Sequence, residues 1–291
     1  MKSFPIGKRV FDFSDTPYFL GILNLTPDSF SDGARYLKPE RALEHALALQ
    51  AQGVDLLDIG AESTRPGADE ISIEEELSRL IPLFELLQGK INIPISLDTR
   101  KVKVIERLIP YGIDLINDVS AFEHDPEMLD FLAQTKLPAI LMHQRGKPKN
   151  MSLLNQYTNI SEDVRKYFEE KLNFLAKNGM ETGRFILDVG IGFAKVGLQN
   201  MQILSSLSGL HSLGLPLLVG LSRKSFLKKY FKEEHEAAER GTLSEVAQAL
   251  CMQQKVQFLR VHDVQSAQRT KSLMRDYLYE QSKNGASGGR F

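Results

Sequence analysis

The sequence predicts an α/β protein, a (β/α)8 TIM barrel preceded by a short N-terminal β-hairpin. Three observations predict it. Eight short apolar runs recur along the chain, at 18–25, 56–59, 93–97, 114–119, 139–142, 185–189, 216–221 and 257–261. Segments with helical apolar spacing separate them. Each run also ends in, or leads into, polar residues. Strands covered on both faces read as short apolar runs of this kind. A strict strand-then-helix alternation over 291 residues matches a closed parallel barrel. A doubly wound open sheet is the alternative, but no glycine-rich dinucleotide fingerprint follows the first run.

The elements follow in order. Residues 4–15 alternate loosely around Gly7-Lys8, which predicts the hairpin. Residues 1–16 are therefore assigned to that extension, 17–281 to the barrel, and the Gly/Ser-rich segment 282–291 to a flexible tail. Ile73, Leu77, Leu80, Ile81, Phe84 and Leu87 keep one helix face, and Val164, Tyr167, Phe168, Leu172 and Leu175 keep another. Ser72 with Glu75, and Thr242 with Glu245, have capping-box spacing. Gly53, Gly112, Gly179 and Gly214 fall where helices should stop before the next strand.

Composition removes several function classes. A net charge of −1 offers no broad basic surface to nucleic acid. The single cysteine, Cys251, lies in an apolar helical pattern with Ala247 and Leu250, so it is read as packing rather than as a catalytic thiol. No run approaches the ~20 apolar residues that cross a bilayer. Residues 1–15 lack the apolar stretch of a secretory signal, and the expected location is the cytoplasm.

Barrel chemistry sits at the C-terminal ends of the strands. There the sequence places Asn24, Asp58, Asp98, Asn117 with Asp118, His143, Asp188, the segment Ser222-Arg223-Lys224-Ser225, and Arg260 with His262 and Asp263. One such residue is usually a turn or a cap. A polar group after every run points to a site. The cationic members suit an anion, and the carboxylates suit hydrogen-bond donors, so the predicted ligand is anionic at one end and donor-rich at the other. Two long polar loops, 26–33 and 60–69, suit lids. Phe30 in the first is either a packing anchor or a cover for an aromatic substrate.

These residues carry a family resemblance. GILNLTPDSFSDG (21–33), LDIGAESTRPGAD (57–69), SLDT (96–99), INDVS (116–120), LMH (141–143), LDVGIGFAK (187–195), GLSRKSF (220–226) and RVHDV (260–264) together resemble dihydropteroate synthase. The likeness spans about residues 18–275 and keeps the motif order. It implies a pterin-binding transferase of folate biosynthesis, a sulfonamide target. Such an enzyme joins 6-hydroxymethyl-7,8-dihydropterin pyrophosphate to p-aminobenzoate and releases pyrophosphate and 7,8-dihydropteroate. The resemblance implies an SN1-like course, a magnesium ion and a homodimer.

It also implies roles. Asp98, Asn117, Met142, Asp188, Phe193 and Lys224 match the pterin pocket. Asn24, Thr64, Arg65, Arg260 and His262 match the pyrophosphate site, and Asn24 matches the magnesium contact. Phe30, Thr64, Pro66 and Ser225 match the p-aminobenzoate pocket. Lys224, Arg65, Asp98 and Asp188 are the expected catalytic group, and Asp58 an organiser of the two loops. The chain departs from the family pattern at Ala61, Gln144-Arg145, Val189, Ile191 and Gln199, none of which carries an assigned ligand contact. A corrinoid methyltransferase of the same barrel type would share Asp98, Asn117 and Asp188. It would not need the STRPGA loop or the Arg260–His262 pair. A pterin-binding paralogue without catalysis would be expected to lack one of Asn24, Arg65, Lys224 or His262, and all four are present.

Overall fold

The structure, a computed structural model, describes residues 1–14, 16–26, 38–63, 68–146, 153–222, 224–230 and 241–287. A two-stranded antiparallel hairpin, β1 (Ser3–Ile6) and β2 (Arg9–Asp12), turns at Gly7. Eight parallel strands then follow: β3 (Tyr18–Asn24), β4 (Leu56–Gly60), β5 (Ile95–Asp98), β6 (Leu115–Asp118), β7 (Ala139–Met142), β8 (Phe185–Asp188), β9 (Leu217–Gly220) and β10 (Phe258–Val261). Each pairs with its sequence neighbours, and β10 closes on β3 with Phe258 opposite Tyr18. The helices are α1 (Pro39–Ala51), α2 (Ile73–Leu87), α3 (Val102–Leu108), α4 (Met128–Gln134), α5 (Ile160–Lys177), α6 (Leu198–Ser205), α7 (Gly241–Gln253) and α8 (Val264–Ser287).

Local signals place these ends. Ser72 caps α2 by accepting from the Glu75 N–H at 3.1 Å. Its proposed counterpart Thr242 stands inside α7, which already begins at Gly241. Gly112 and Gly214 end helical turns in left-handed backbone. Helix α8 continues through Ser287, so much of the segment read as a tail is helical; residues 288–291 lie outside the described residues.

Strand side chains alternate between two faces. Leu57, Ile59, Leu97, Ile116, Leu141, Leu187, Val219 and Leu259 point outward into one core shared with the helices. Tyr18, Leu20, Leu56, Leu115, Ile140, Ile186, Leu218 and Phe258 point inward and form a second cluster with Phe4, Ile6 and Phe11. The hairpin thus closes the lower mouth of the barrel. Phe11 meets Tyr18 and Phe258 edge-on at centroid distances of 4.8 and 5.5 Å.

Two residues further along each strand, the same inward register delivers Asp58, Asp98, Asn117, Met142, Asp188, Gly220 and Arg260 to the upper mouth. The apolar plug and the polar rim are therefore successive layers of one alternation. Phe11→Ala should empty a fully enclosed site and cost about 3–5 kcal/mol, read as a lower urea midpoint with unchanged slope. A midpoint equal to that of the unaltered chain would show that the hairpin does not seal the barrel.

Candidate active site

Asp58 is the centre of the rim. It is fully buried on β4, and its carboxylate accepts from Ser96 Oγ at 2.7 Å, from Asn117 Nδ2 at 3.2 Å and from Arg260 Nε at 2.5 Å. Arg260 Nη2 continues to Asp98 Oδ2 at 3.0 Å. One guanidinium therefore bridges two carboxylates, which is what a buried pair of like charges requires. Burial, and next the Asp58 carboxylate, raise Asp98 above the ordinary range, with Arg260 opposing them. Burial works against the Arg260 charge, but Asp58 and Asp98 outweigh it and hold the guanidinium protonated. Close packing permits this arrangement: a side chain at Gly60 would meet Asp98 Cβ at 3.0 Å.

Asn117 spends its amide N–H groups on Asp58, which leaves its carbonyl oxygen as the atom available to a ligand. Asp188 ends β8. Its Oδ1 accepts from the Gly190 N–H at 2.8 Å, and burial raises its pKa despite that bond and the nearby Lys224. Lys224 holds its Nζ 4.7 Å from the Phe193 ring centroid. Burial lowers its amine to about 8, with Asp188 opposing the shift. Met142 is buried at the end of β7, against Gly190. Asp98, Asn117, Met142, Asp188, Phe193, Lys224 and Arg260 thus converge on one mouth.

Other expected residues stand further out. Asn24 ends β3, half-buried at the rim. The His262 N–H donates to Ser222 Oγ at 3.2 Å, and His262 lines a cleft with His45 of α1 and Gln52 just past its end. Ser225 is exposed at the start of a 3-10 turn. Phe30, Thr64, Arg65 and Pro66 lie outside the described residues. Asp118 and His143 each follow an inward residue by one position and so face away from the mouth. Asp118 Oδ1 accepts from the Ser120 backbone N–H and hydroxyl, and the His143 ring packs edge-on against Tyr167.

Sequence reading passed over a set of buried ions. Glu62, two residues past β4, pairs with Arg100 at 2.7 Å and Lys101 at 3.2 Å. Lys101 also reaches Glu76 at 2.7 Å. The available signal was Glu76 itself, a carboxylate four residues before Leu80 on the apolar face of α2. Lys195 was also missed. It is 3% exposed, and burial lowers its amine to about 7. Its signal was a charged residue closing the motif after the sixth barrel strand. Four of the family departures are structural: Gln199 accepts from the Val196 N–H and donates to the Asn155 carbonyl, while Ala61, Val189 and Ile191 are buried.

Among the described residues, no group of three or more His, Cys, Asp or Glu side chains is arranged to hold a metal ion. Asn24 offers one hard amide oxygen at the rim. That donor set fits an ion carried chiefly by ligand phosphates and water, as magnesium commonly is.

Residues 20–262 match the protein family described as "Pterin binding enzyme". The closed barrel and its acidic, lysine-bearing mouth are thereby those of a pterin-binding enzyme. A relative named dihydropteroate synthase, from Synechocystis, is 40% identical over 264 residues, covering 90% of each chain. The solved Yersinia pestis dihydropteroate synthase, in complex with a sulfonamide drug, superposes with a TM-score of 0.88 at 36% identity, over 95% of this chain and 99% of that one. The Xanthomonas albilineans enzyme with 4-aminobenzoic acid gives 0.87 at 36% identity, over 95% and 98%. The chain belongs to the dihydropteroate synthases, a family of transferases. Among its described residues no helix is long and apolar enough to cross a membrane.

Proposed function

We propose that the chain condenses 6-hydroxymethyl-7,8-dihydropterin pyrophosphate with p-aminobenzoate, releasing pyrophosphate and 7,8-dihydropteroate. The observation that carries this reading is the convergence of Asp98, Asn117, Asp188 and Lys224 on one mouth, in a chain of this family. A pterin presents an amino group and ring N–H donors on one edge and a carbonyl on another. Asp98, Asp188 and the Asn117 carbonyl accept from the first, and Lys224 donates to the second. Met142 and the Phe193 ring form the apolar walls.

The reaction then follows the charge distribution. Arg65, Arg260 and His262 stabilise charge as it grows on the departing pyrophosphate. Arg260 is held between Asp58 and Asp98, so its approach to the phosphates is coupled to what occupies Asp98. Asn24 would hold magnesium, which when bound neutralises charge on the diphosphate. The buried carboxylates favour positive charge on the pterin methylene after the bond breaks, and the aniline nitrogen attacks that carbon. Thr64, Pro66, Ser225 and Phe30 form the second substrate's pocket. No enzyme nucleophile is required in this dissociative course.

With both substrates present, pyrophosphate release should be matched by formation of 7,8-dihydropteroate, and should fall to background when EDTA removes magnesium. Pyrophosphate released with no 7,8-dihydropteroate formed when both substrates are present would contradict a transferase. The methylene carbon should show a kinetic isotope effect of dissociative size, and an associative value would exclude the cationic course. Lys224→Ala should weaken pterin binding about tenfold or more, the scale of a lost charged hydrogen bond. Arg65→Ala should chiefly lower turnover. In the unaltered chain pterin affinity should fall as pH rises through about 8, where Lys224 loses its proton. It should fall again toward acid as Asp98 and Asp188 are protonated. Calorimetric titration at several pH values measures both limbs, and a flat profile would remove these groups from the pocket.

A further inference from the structure

The connection after β8 is short and conformationally costly. Gly190, Gly192 and Ala194 all take left-handed backbone, with φ of 64°, 80° and 49°. A Cβ at Gly190 would stand 2.1 Å from the His143 carbonyl oxygen, so the chain can pass there only as glycine. Backbone turned this way closes one bond of its own, from the Phe193 N–H to the Gly190 carbonyl at 3.0 Å, and its other buried polar groups need partners from elsewhere.

Two buried side chains supply them. Asn200 accepts from the Gly192 N–H at 2.8 Å and donates to the Lys195 carbonyl at 3.1 Å. Lys195 supplies the rest. Its Nζ lies 3.1 Å from the Gly190 carbonyl, 3.1 Å from the Phe193 carbonyl and 2.8 Å from His143 Nδ1. An ammonium has three N–H bonds, and these three acceptors can take them, with the His143 carbonyl a fourth and longer contact at 3.4 Å. Burial holds His143 neutral, so one ring nitrogen carries a lone pair, and an ammonium donating at 2.8 Å requires that nitrogen to be Nδ1. The His143 backbone N–H in turn donates to the Asp188 carbonyl at 2.8 Å. A single amine thus ties the end of β7 to the loop after β8.

The groups it ties are those around the pterin mouth. The Gly190 N–H orients the Asp188 carboxylate, and the Phe193 ring stands under the Lys224 amine. Lys195 itself faces protein acceptors and not the mouth. A methionine of similar volume would fill the space at no desolvation cost, but it would take the donor from the Phe193 carbonyl and the imidazole nitrogen and leave the Gly190 carbonyl only the Phe193 N–H at 3.0 Å. We infer that Lys195 is a positioning residue for pterin recognition: its amine clamps residues 190–193 so that Asp188 and the Phe193–Lys224 pair present a fixed surface to the ring. This inference rests on the pterin reading of the site.

The test compares the unaltered chain with Lys195→Met, Lys195→Arg and Asn200→Ala. KM for each substrate is measured with the other saturating, and 6-hydroxymethylpterin binding is followed by calorimetry. Lys195→Met should raise the pterin KM and dissociation constant about tenfold or more while the p-aminobenzoate KM moves by less than about twofold. Lys195→Arg, which keeps the donors, should recover part of that loss. Unchanged pterin affinity in a folded Lys195→Met chain, or equal rises in both KM values, would overturn the inference. If Lys195→Met does not fold, Asn200→Ala, which releases the loop's other clasp, decides by the same two outcomes. Failure of the unaltered chain to bind pterin would instead overturn the proposed function and is read separately.

Discussion

A carboxylate with no solvent exposure occupies the centre of the barrel. Asp58 collects Ser96, Asn117 and Arg260 from three other strands, and through Arg260 it is joined to Asp98. A buried charge of this kind is tolerable only when every lone pair is met, and breaking one partner leaves the rest uncompensated. The orientation of Asn117 and the reach of Arg260 depend on Asp58 being in place, and its carboxylate adds to the burial that raises the pKa of Asp98. The resemblance cast Asp58 as an organiser of loops. Among the described residues its partners Ser96, Asn117 and Arg260 belong to the mouth.

Around that centre the barrel solves two problems with one periodicity. The lower inward layer is apolar and sealed by the hairpin, while the upper inward layer is polar and open to a ligand. Outward positions serve the helices. Asp118 and His143 show how sharp the division is: each stands beside an inward residue, and each is used for structure instead of recognition. Buried ions support the mouth from outside, with Glu62 and Glu76 of α2 paired to Arg100 and Lys101, and Lys195 bonded to the loop after β8. Their low exposure raises the cost of leaving any of them unpaired.

Much of this was legible before any coordinates. All eight barrel strands were marked by apolar runs, the hairpin by alternation around Gly7, and the cap of α2 by Ser72 with Glu75. The pterin-side residues were marked because polar groups at strand ends are rare enough to notice when every strand has one. Lys195 and Glu76 escaped for a common reason. A charged residue near a loop or on a helix reads as solvated unless its partners are known, and the partner of Glu76 lies 25 residues away, that of Lys195 52 residues away.

The sequence by itself determined the number and order of the elements, the alternation that sends Asp58, Asp98, Asn117 and Asp188 inward, and the family to which the motifs belong. These follow from short-range rules, the period of a strand and the stop signals of a helix, which act within a few residues. Only the tertiary structure decided which groups meet. Arg260 is 202 residues from Asp58 and 162 from Asp98, and closure of β10 on β3 is what brings it between them. The same closure turns the hairpin from a detached ribbon into the floor of the barrel. Such pairings rest on distances across a closed sheet, and no local pattern encodes them.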